Sequence, residues 1–437
     1  MSVRESIGTE QIERYNEFVT PLKKRRKKNG KATLIFFLVC VVIGAVIGFC
    51  GPLLMDKGVL KFNIRPPFAL KEQFLLLYLP LLFILYYIVC TLHTIIHEAG
   101  HLVFGLLSGY RFLSFRVFSF TIVKKDGKFS YKKIKVPGTM GQCLMIPPEW
   151  NEEKHYPYVW FNLGGGMFNL IFSALSVPLF FLHSPLWAWI AGVFIFAGVI
   201  FGVCNVLPMT MGIPNDGKNC LLCAKEKKNQ KALYLQLKIN AMMSEGVMPD
   251  EIPEELLKVD EEDSINALTL YVHLIKCYKR ILEGKPEEAE ACLNKMEQSL
   301  DTLPAGFANA VDAERLYFLL QNNGSPEEIA AYYAVLQPVL IQQAKDLSVL
   351  RIKYFYYRLL SEEDRERIEW LSRSKKGKLP KRLPKQKPVT ADGIYEEMEK
   401  AYKKFPVIGE AEFYMTVVRR LKERMQSETS EDSAVSE

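Results

Sequence analysis

Two histidines and a glutamate within five residues, His97-Glu98-Ala99-Gly100-His101, are the part of this chain best suited to chemistry. On a helix, residues four apart project from one face, so the imidazoles of His97 and His101 can share one metal ion. A carboxylate at Glu98 is then placed to take a proton from water activated by that metal. The surroundings sharpen the reading. Phe74 to Leu92 carries no charge, and Leu102 to Leu107 is equally apolar. Ionisable groups in a lipid-embedded helix are costly unless paired or ligated, which marks them as functional.

The elements that must position these residues are apolar runs. Ala32 to Met55 is uncharged and 24 residues long, enough for one crossing. A second span runs from Phe74 through the histidine pair to about Leu107, longer than one crossing needs, which implies tilt, a kink near Pro80, or extension beyond the lipid. Tyr158 to Leu182 and Leu186 to Leu207 are the third and fourth, separated by His183-Ser184-Pro185. The cluster Lys23-Lys24-Arg25-Arg26-Lys27-Lys28 places the amino terminus in the cytoplasm. Four crossings return the carboxy terminus there too, and the histidine pair falls in the cytoplasmic half of its span. Between spans two and three, Phe112 to Val123, the turn signal Asp126-Gly127 and a Lys/Tyr-rich run to Val136 predict a β-hairpin. It either covers the membrane surface or offers an edge to an extended substrate.

A catalytic metal of this kind needs a third protein ligand and one open position. The best candidate is Asp216, just beyond the fourth span and at the same cytoplasmic end as the histidines. Pro208, Gly212 and Pro214 would unwind the chain there and let Asp216 turn inward. The alternative is a plain Asn215-Asp216-Gly217 surface turn.

With these residues in place, the chain resembles the site-2 protease family of intramembrane zinc metalloproteases. The likeness rests on His97-Glu98-Ala99-Gly100-His101 in a span, on Gly165-Gly166-Met167-Phe168-Asn169 in the third span, and on Asn205-x-x-Pro208 followed by Asp216-Gly217. It covers roughly residues 70 to 220. The resemblance implies Zn2+ held by His97, His101 and Asp216, with Glu98 as general base. It implies a catalytic role for Asn169, as a donor to the substrate carbonyl or its oxyanion. Gly166 stands where the family usually has proline, and the interval from Asn205 to Asp216 is longer than the usual pattern. His93, four residues before His97, reads as a packing histidine with its hydrogen bonds satisfied. His155, His183 and His273 lie too far away in this topology to contribute.

The remaining sequence bounds the rest. At 437 residues the chain has room for two or three domains. Its formal net charge of +7 is concentrated in the amino-terminal cluster and in Lys375 to Lys387. Neither is interleaved with aromatic residues, so no nucleic-acid partner is expected. Nine scattered cysteines suggest reduced thiols, and the lone pair Cys220/Cys223 is a poor structural metal site. The first 30 residues are polar, which predicts a retained anchor rather than a cleaved signal. From Lys218 onward the chain reads as amphipathic helices. Gly284-Lys285-Pro286-Glu287-Glu288-Ala289 and Gly324-Ser325-Pro326-Glu327-Glu328-Ile329 are near-copies 40 residues apart. Each opens a helix with proline and acids, suggesting tetratricopeptide-like helix hairpins or a simple bundle.

The expected fold is therefore mainly α: about four transmembrane helices and a small β-hairpin, followed by an all-α cytoplasmic region. The expected divisions are a basic segment at 1–31, a membrane metalloprotease domain at 32–217, a repeat-like domain at 218–371, a basic linker at 372–390, helices at 391–426 and a disordered acidic tail at 427–437. The expected activity is hydrolysis of peptide bonds in or beside the transmembrane segments of a membrane protein or membrane peptide. The setting is a plasma membrane, multi-pass and of bacterial type, with a cytoplasmic protein partner for the helical repeats. Two other readings compete. A non-catalytic membrane scaffold would have no need of Glu98. A metal transporter would need further intramembrane acids.

Overall fold

A computed structural model describes residues 2–27, 37–38, 41–42, 45, 75–125, 127–134, 136, 139–182, 184–258, 265–375, 377–384 and 388–435. The chain divides into two compact units. One comprises residues 30–133 and 138–237; the other comprises 1–29, 134–137 and 238–437. The predicted span at Ala32 to Met55, apart from residues 37–38, 41–42 and 45, and the turn residue His183 lie outside the described residues.

In order along the chain, α1 is Val3–Ser6, α2 Thr9–Lys27, and α3 Leu75–Leu107. Four strands follow: β1 Arg111–Val117, β2 Phe120–Lys125, β3 Lys128–Lys133 and β4 Gly141–Ile146. Then come α4 Tyr158–Leu175, a 3-10 turn Val177–Leu182, and α5 Pro185–Val206. Among the described residues three stretches, Pro80–Leu107, Tyr158–Leu182 and Leu186–Val206, are long and apolar enough to cross a membrane. Helices α3, α4 and α5 pack on one another. What lets them approach is the absence of side chains at the contacts, as is usual for helices packed in lipid. A Cβ at Gly100 would lie 2.3 Å from the Gly164 carbonyl oxygen, and one at Gly202 would lie 2.9 Å from the Gly166 carbonyl oxygen.

The predicted hairpin is half of a four-stranded antiparallel sheet, ordered β3-β2-β1-β4. The turn falls where the sequence placed it: Lys125 pairs with Lys128, and Gly127 takes φ +75°. The run Phe112 to Val123 is not one strand but two. It folds back at Phe118-Ser119, with Phe118 at φ +53° and Val117 pairing with Phe120. No glycine, proline, asparagine or aspartate announces that turn. Buried Arg116 supports it instead, donating to the Phe118 carbonyl at 2.8 Å. β4, which the hairpin reading omitted, pairs with β1 and forms the second sheet edge.

After α5 the chain makes a two-residue ladder, β5 Thr210–Met211 with β6 Ile213–Pro214, around Gly212 at φ +81°. It then enters α6 Asp216–Lys225 and α7 Lys227–Glu245. The division between units falls inside α7, at Leu237/Lys238, rather than at 217/218. Helix α6 packs against α4 and α5 and so belongs with the apolar helices.

The second unit is helical: α8 Leu270–Leu282, α9 Pro286–Gln298, α10 Ala305–Gln321, α11 Pro326–Gln342, α12 Leu347–Leu359, α13 Glu362–Ser372, α14 Ala391–Tyr402 and α15 Ile408–Val435. Both near-copies start helices at their prolines, Pro286 and Pro326, with glutamates in the first turn. The amino-terminal segment is no separate appendage. Helix α2 packs along α11, with Tyr15, Val19 and Leu22 buried, and Arg25 pairs with Asp312 at 3.1 Å. The last helix continues to Val435, through most of the segment whose composition reads as a disordered tail.

The glycine contacts predict a sharp contrast. Gly100→Ala should destabilise the protein by about 1–3 kcal/mol, because the added methyl meets backbone that cannot yield. Gly192→Ala in α5, where nothing lies within 4 Å, should be neutral. Thermal unfolding of both variants in detergent checks this.

Candidate metal centre

Helix α3 projects His97 and His101 from one face, their rings 4.8 Å apart and nearly perpendicular. Their Nε2 atoms lie 3.1 Å apart. Asp216, the first residue of α6, brings Oδ2 to 3.2 Å from His97 Nε2 and 3.3 Å from His101 Nε2. The three sequence-predicted ligands thus meet in a nearly equilateral triangle. Donors on a four-coordinate metal at about 2.0–2.1 Å would be about 3.3 Å apart, so the spacing fits.

The remaining hydrogen bonds point the same way. His101 Nδ1 donates to the Phe161 carbonyl at 2.7 Å, and His97 Nδ1 donates to Asn169 Oδ1 at 3.0 Å. With a proton on each Nδ1, both Nε2 atoms present lone pairs, the form in which imidazole binds a metal. Asp216 Oδ2 is buried and accepts no hydrogen bond. Opposite them, Gly165 lacks the Cβ that would stand 2.6 Å from His101 Nε2 and 2.7 Å from His97 Nε2. Space is therefore kept in front of the donors, and the set could hold a metal ion.

Asp216 is delivered by its neighbours. Asn215 caps α6, its Oδ1 accepting from Lys218 N at 2.9 Å and from Met209 N at 3.0 Å. Its Nδ2 donates to the Cys204 and Leu207 carbonyls at 2.6 Å each, which closes the exposed end of α5. At Gly217 a Cβ would sit 2.1 Å from the Val206 carbonyl oxygen. The Asn-Asp-Gly sequence is thus a cap, a buried donor facing the two imidazoles and a close approach, not a surface turn.

Glu98 is buried, with Gly141 of β4 against it: a Cβ there would lie 2.4 Å from Glu98 Oε1. Arg116 holds that glycine, donating to the Gly141 carbonyl at 3.2 Å as well as to Thr139. Asn169 is fully buried and is not free to meet a substrate carbonyl. Its Oδ1 faces His97, and its Nδ2 donates to the His93 carbonyl at 2.9 Å and to His93 Nδ1 at 3.0 Å. In this structure Asn169 faces His97 and His93, where the expectation had it facing a substrate. His155 and His273 contribute no donor to the cluster.

Sequence reasoning gave no site role to Arg116, Gly141 or Asn215, and Gly165 entered it only within the Gly165–Asn169 motif. Arg116 stands near Arg111, Lys124 and Lys125 with nothing to single it out, and Gly141 carries no chemical signal. Only Asn215, a capping residue type just before a helix, left a readable trace.

No family model, no curated protein and no solved structure matches this chain.

Removing the carboxylate in Asp216→Ala should abolish stoichiometric metal binding. Asn215→Ala, which keeps all three donors but frees the α6 terminus, should weaken it about 10-fold, at the low end for outer-shell residues. Competition with a chromophoric chelator measures both, and unaltered affinity in Asn215→Ala would dismiss the capping role.

Proposed function

We propose that this protein is an intramembrane zinc endopeptidase that cuts membrane proteins or membrane peptides in or next to a transmembrane segment. The observation that carries the reading is the convergence of His97, His101 and Asp216 on one point, with buried Glu98 next to the first ligand on a helix apolar enough to lie in lipid. Two imidazoles and one carboxylate, with room for a further group, suit a catalytic zinc better than a structural one. Zinc bound there would make water acidic and a peptide carbonyl electrophilic.

The chain's own groups do the rest. Glu98 accepts the proton of the attacking water and returns it to the departing amine. Burial beside Gly141 holds its carboxylate in one place. Asn169 keeps His97 in its donor form. A transmembrane helix hides its carbonyls in internal hydrogen bonds, so a substrate must be held locally extended. β4, a sheet edge against Glu98, supports that need better than the β2–β3 turn does. The β2–β3 hairpin exposes Phe120, Ile122, Phe129 and Tyr131 between lysines, a surface suited to the lipid interface.

The helical unit supports a cytoplasmic, repeat-like partner module, with α8/α9 and α10/α11 as successive hairpins and tetratricopeptide-like helix starts. It also bears on topology. Helix α2 packs within this unit, so residues 27 and 238 share one side of the membrane. Three apolar helices between them are an odd number. An even total needs one more crossing in residues 28–74, where the uncharged run Ala32 to Met55 lies.

Two outcomes test this reading. Glu98→Gln should retain zinc yet lower cleavage of a co-expressed membrane substrate by about 10²–10⁴-fold; cleavage at the normal rate would end the protease assignment. The substrates should accumulate in the membrane proteome of cells carrying the variant. Reporters fused to either end of the chain should both lie in the cytoplasm, and opposite sides would refute the four-crossing topology.

A further inference from the structure

His93 lies one helical turn before His97, fully buried, and makes no contact with the donor triangle. Both of its ring nitrogens are engaged. Nε2 is 2.9 Å from the Phe194 carbonyl on α5, and Nδ1 is 3.0 Å from Asn169 Nδ2 on α4. A carbonyl can only accept, so the His93 proton sits on Nε2 and Nδ1 is left bare. The bare nitrogen needs a donor, which makes the group facing it the Asn169 amide nitrogen. That orientation turns Asn169 Oδ1 toward His97, which must answer with a proton on Nδ1 and a lone pair on Nε2.

We propose that His93 is a positioning residue of the metal centre. It and Phe194 start a hydrogen-bond chain of fixed polarity, running through Asn169, that sets the tautomer of ligand His97. The two imidazoles on one helix are held in opposite tautomers, and one amide between them enforces the difference. The fold makes room for this. A Cβ at Gly198 would lie 2.4 Å from His93 Cε1 and 2.0 Å from Ser173 Oγ, so only glycine there lets the ring reach the Phe194 carbonyl. The His93 and Phe194 rings, 4.2 Å apart, pin it sideways. A histidine that merely filled space would not need its two nitrogens matched to one acceptor and one donor.

The inference rests on the metal-site reading, but one arm of its test does not need metal. In metal-free protein carrying nitrogen-15 histidine, the six histidines can be assigned by substitution. His93 should appear protonated on Nε2, and His97 on Nδ1. In His93→Phe, and separately in Gly198→Ala, His97 should become a mixture of tautomers. Zinc affinity by chelator competition should fall about 3- to 10-fold in both, less than the about 10–100-fold typical of direct outer-shell partners. Asn169→Asp is the sharpest variant: it still accepts from His97 but cannot donate to His93. It should lose at least 10-fold in affinity if the whole chain of bonds matters. Full affinity in Asn169→Asp with a pure His97 tautomer in His93→Phe would reduce His93 to packing. A His93 protonated on Nδ1 in the unaltered protein would overturn the polarity directly, whether or not any variant folds. Failure of the unaltered protein to bind zinc, with both tautomers as stated, would sink the protease reading and leave the relay standing.

Discussion

Polar atoms that lipid cannot solvate have to be satisfied by the protein itself, and this constraint shapes the apolar unit more than any other. Helix α3, apolar enough to cross a membrane, carries three imidazoles and a carboxylate. Each imidazole is answered by another helix: His101 by the Phe161 carbonyl, His97 by Asn169, and His93 by Asn169 and the Phe194 carbonyl. None of the answering groups is charged. Neutral acceptors satisfy the rings without the cost of a second buried ion, and they leave the donor nitrogens in one protonation pattern. The one charged member of the donor triangle, Asp216, comes from beyond the apolar helices, on a short helix where about one-quarter of its side chain is exposed.

Such answers are possible only if the helices nearly touch, which explains the glycines. Gly100 against Gly164, Gly165 against the imidazole pair, Gly198 against His93 and Gly217 against Val206 each bring backbone to within a distance that a methyl group would forbid. The same contacts that open a space in front of the Nε2 atoms also hold the three helices in register. Function and packing are therefore not separable at these positions. A residue that relieved the packing would also displace a hydrogen-bond partner of the site.

The parts legible in the sequence were those governed by periodicity or by charge. The His97/His101 pair, the apolar runs, the Asp126-Gly127 turn and the helix starts at Pro286 and Pro326 all follow from rules that act within a few residues. Asp216 was legible because prolines and a glycine announce the break before it. What could not be read depends on residues far apart in the chain. The turn at Phe118 is imposed by Arg116 rather than by its own composition, and β4 is a strand because β1 offers it an edge. Asn169 could be placed in the site but not given its task, since its task is defined by what His93 already needs. The docking of α2 on α11 has no local signal, because an amphipathic helix does not name its partner.

That docking also bears on how the molecule is completed. The apolar unit lies in sequence among the pieces of the helical unit, residues 1–29, 134–137 and 238–437. Helix α2 precedes the apolar helices, yet Tyr15 donates to the Ser372 carbonyl, 357 residues later in the chain. Until then, Tyr15, Val19 and Leu22 have nothing to pack against. Contacts of such separation form late, because the entropy of closing the intervening chain is overcome only once the segments between are ordered. Here the intervening chain includes the three apolar helices of the described residues, so α2 cannot dock on α11 until that stretch has been made. An order of events in which the apolar helices assemble before α2 closes on α11 is the one this connectivity favours.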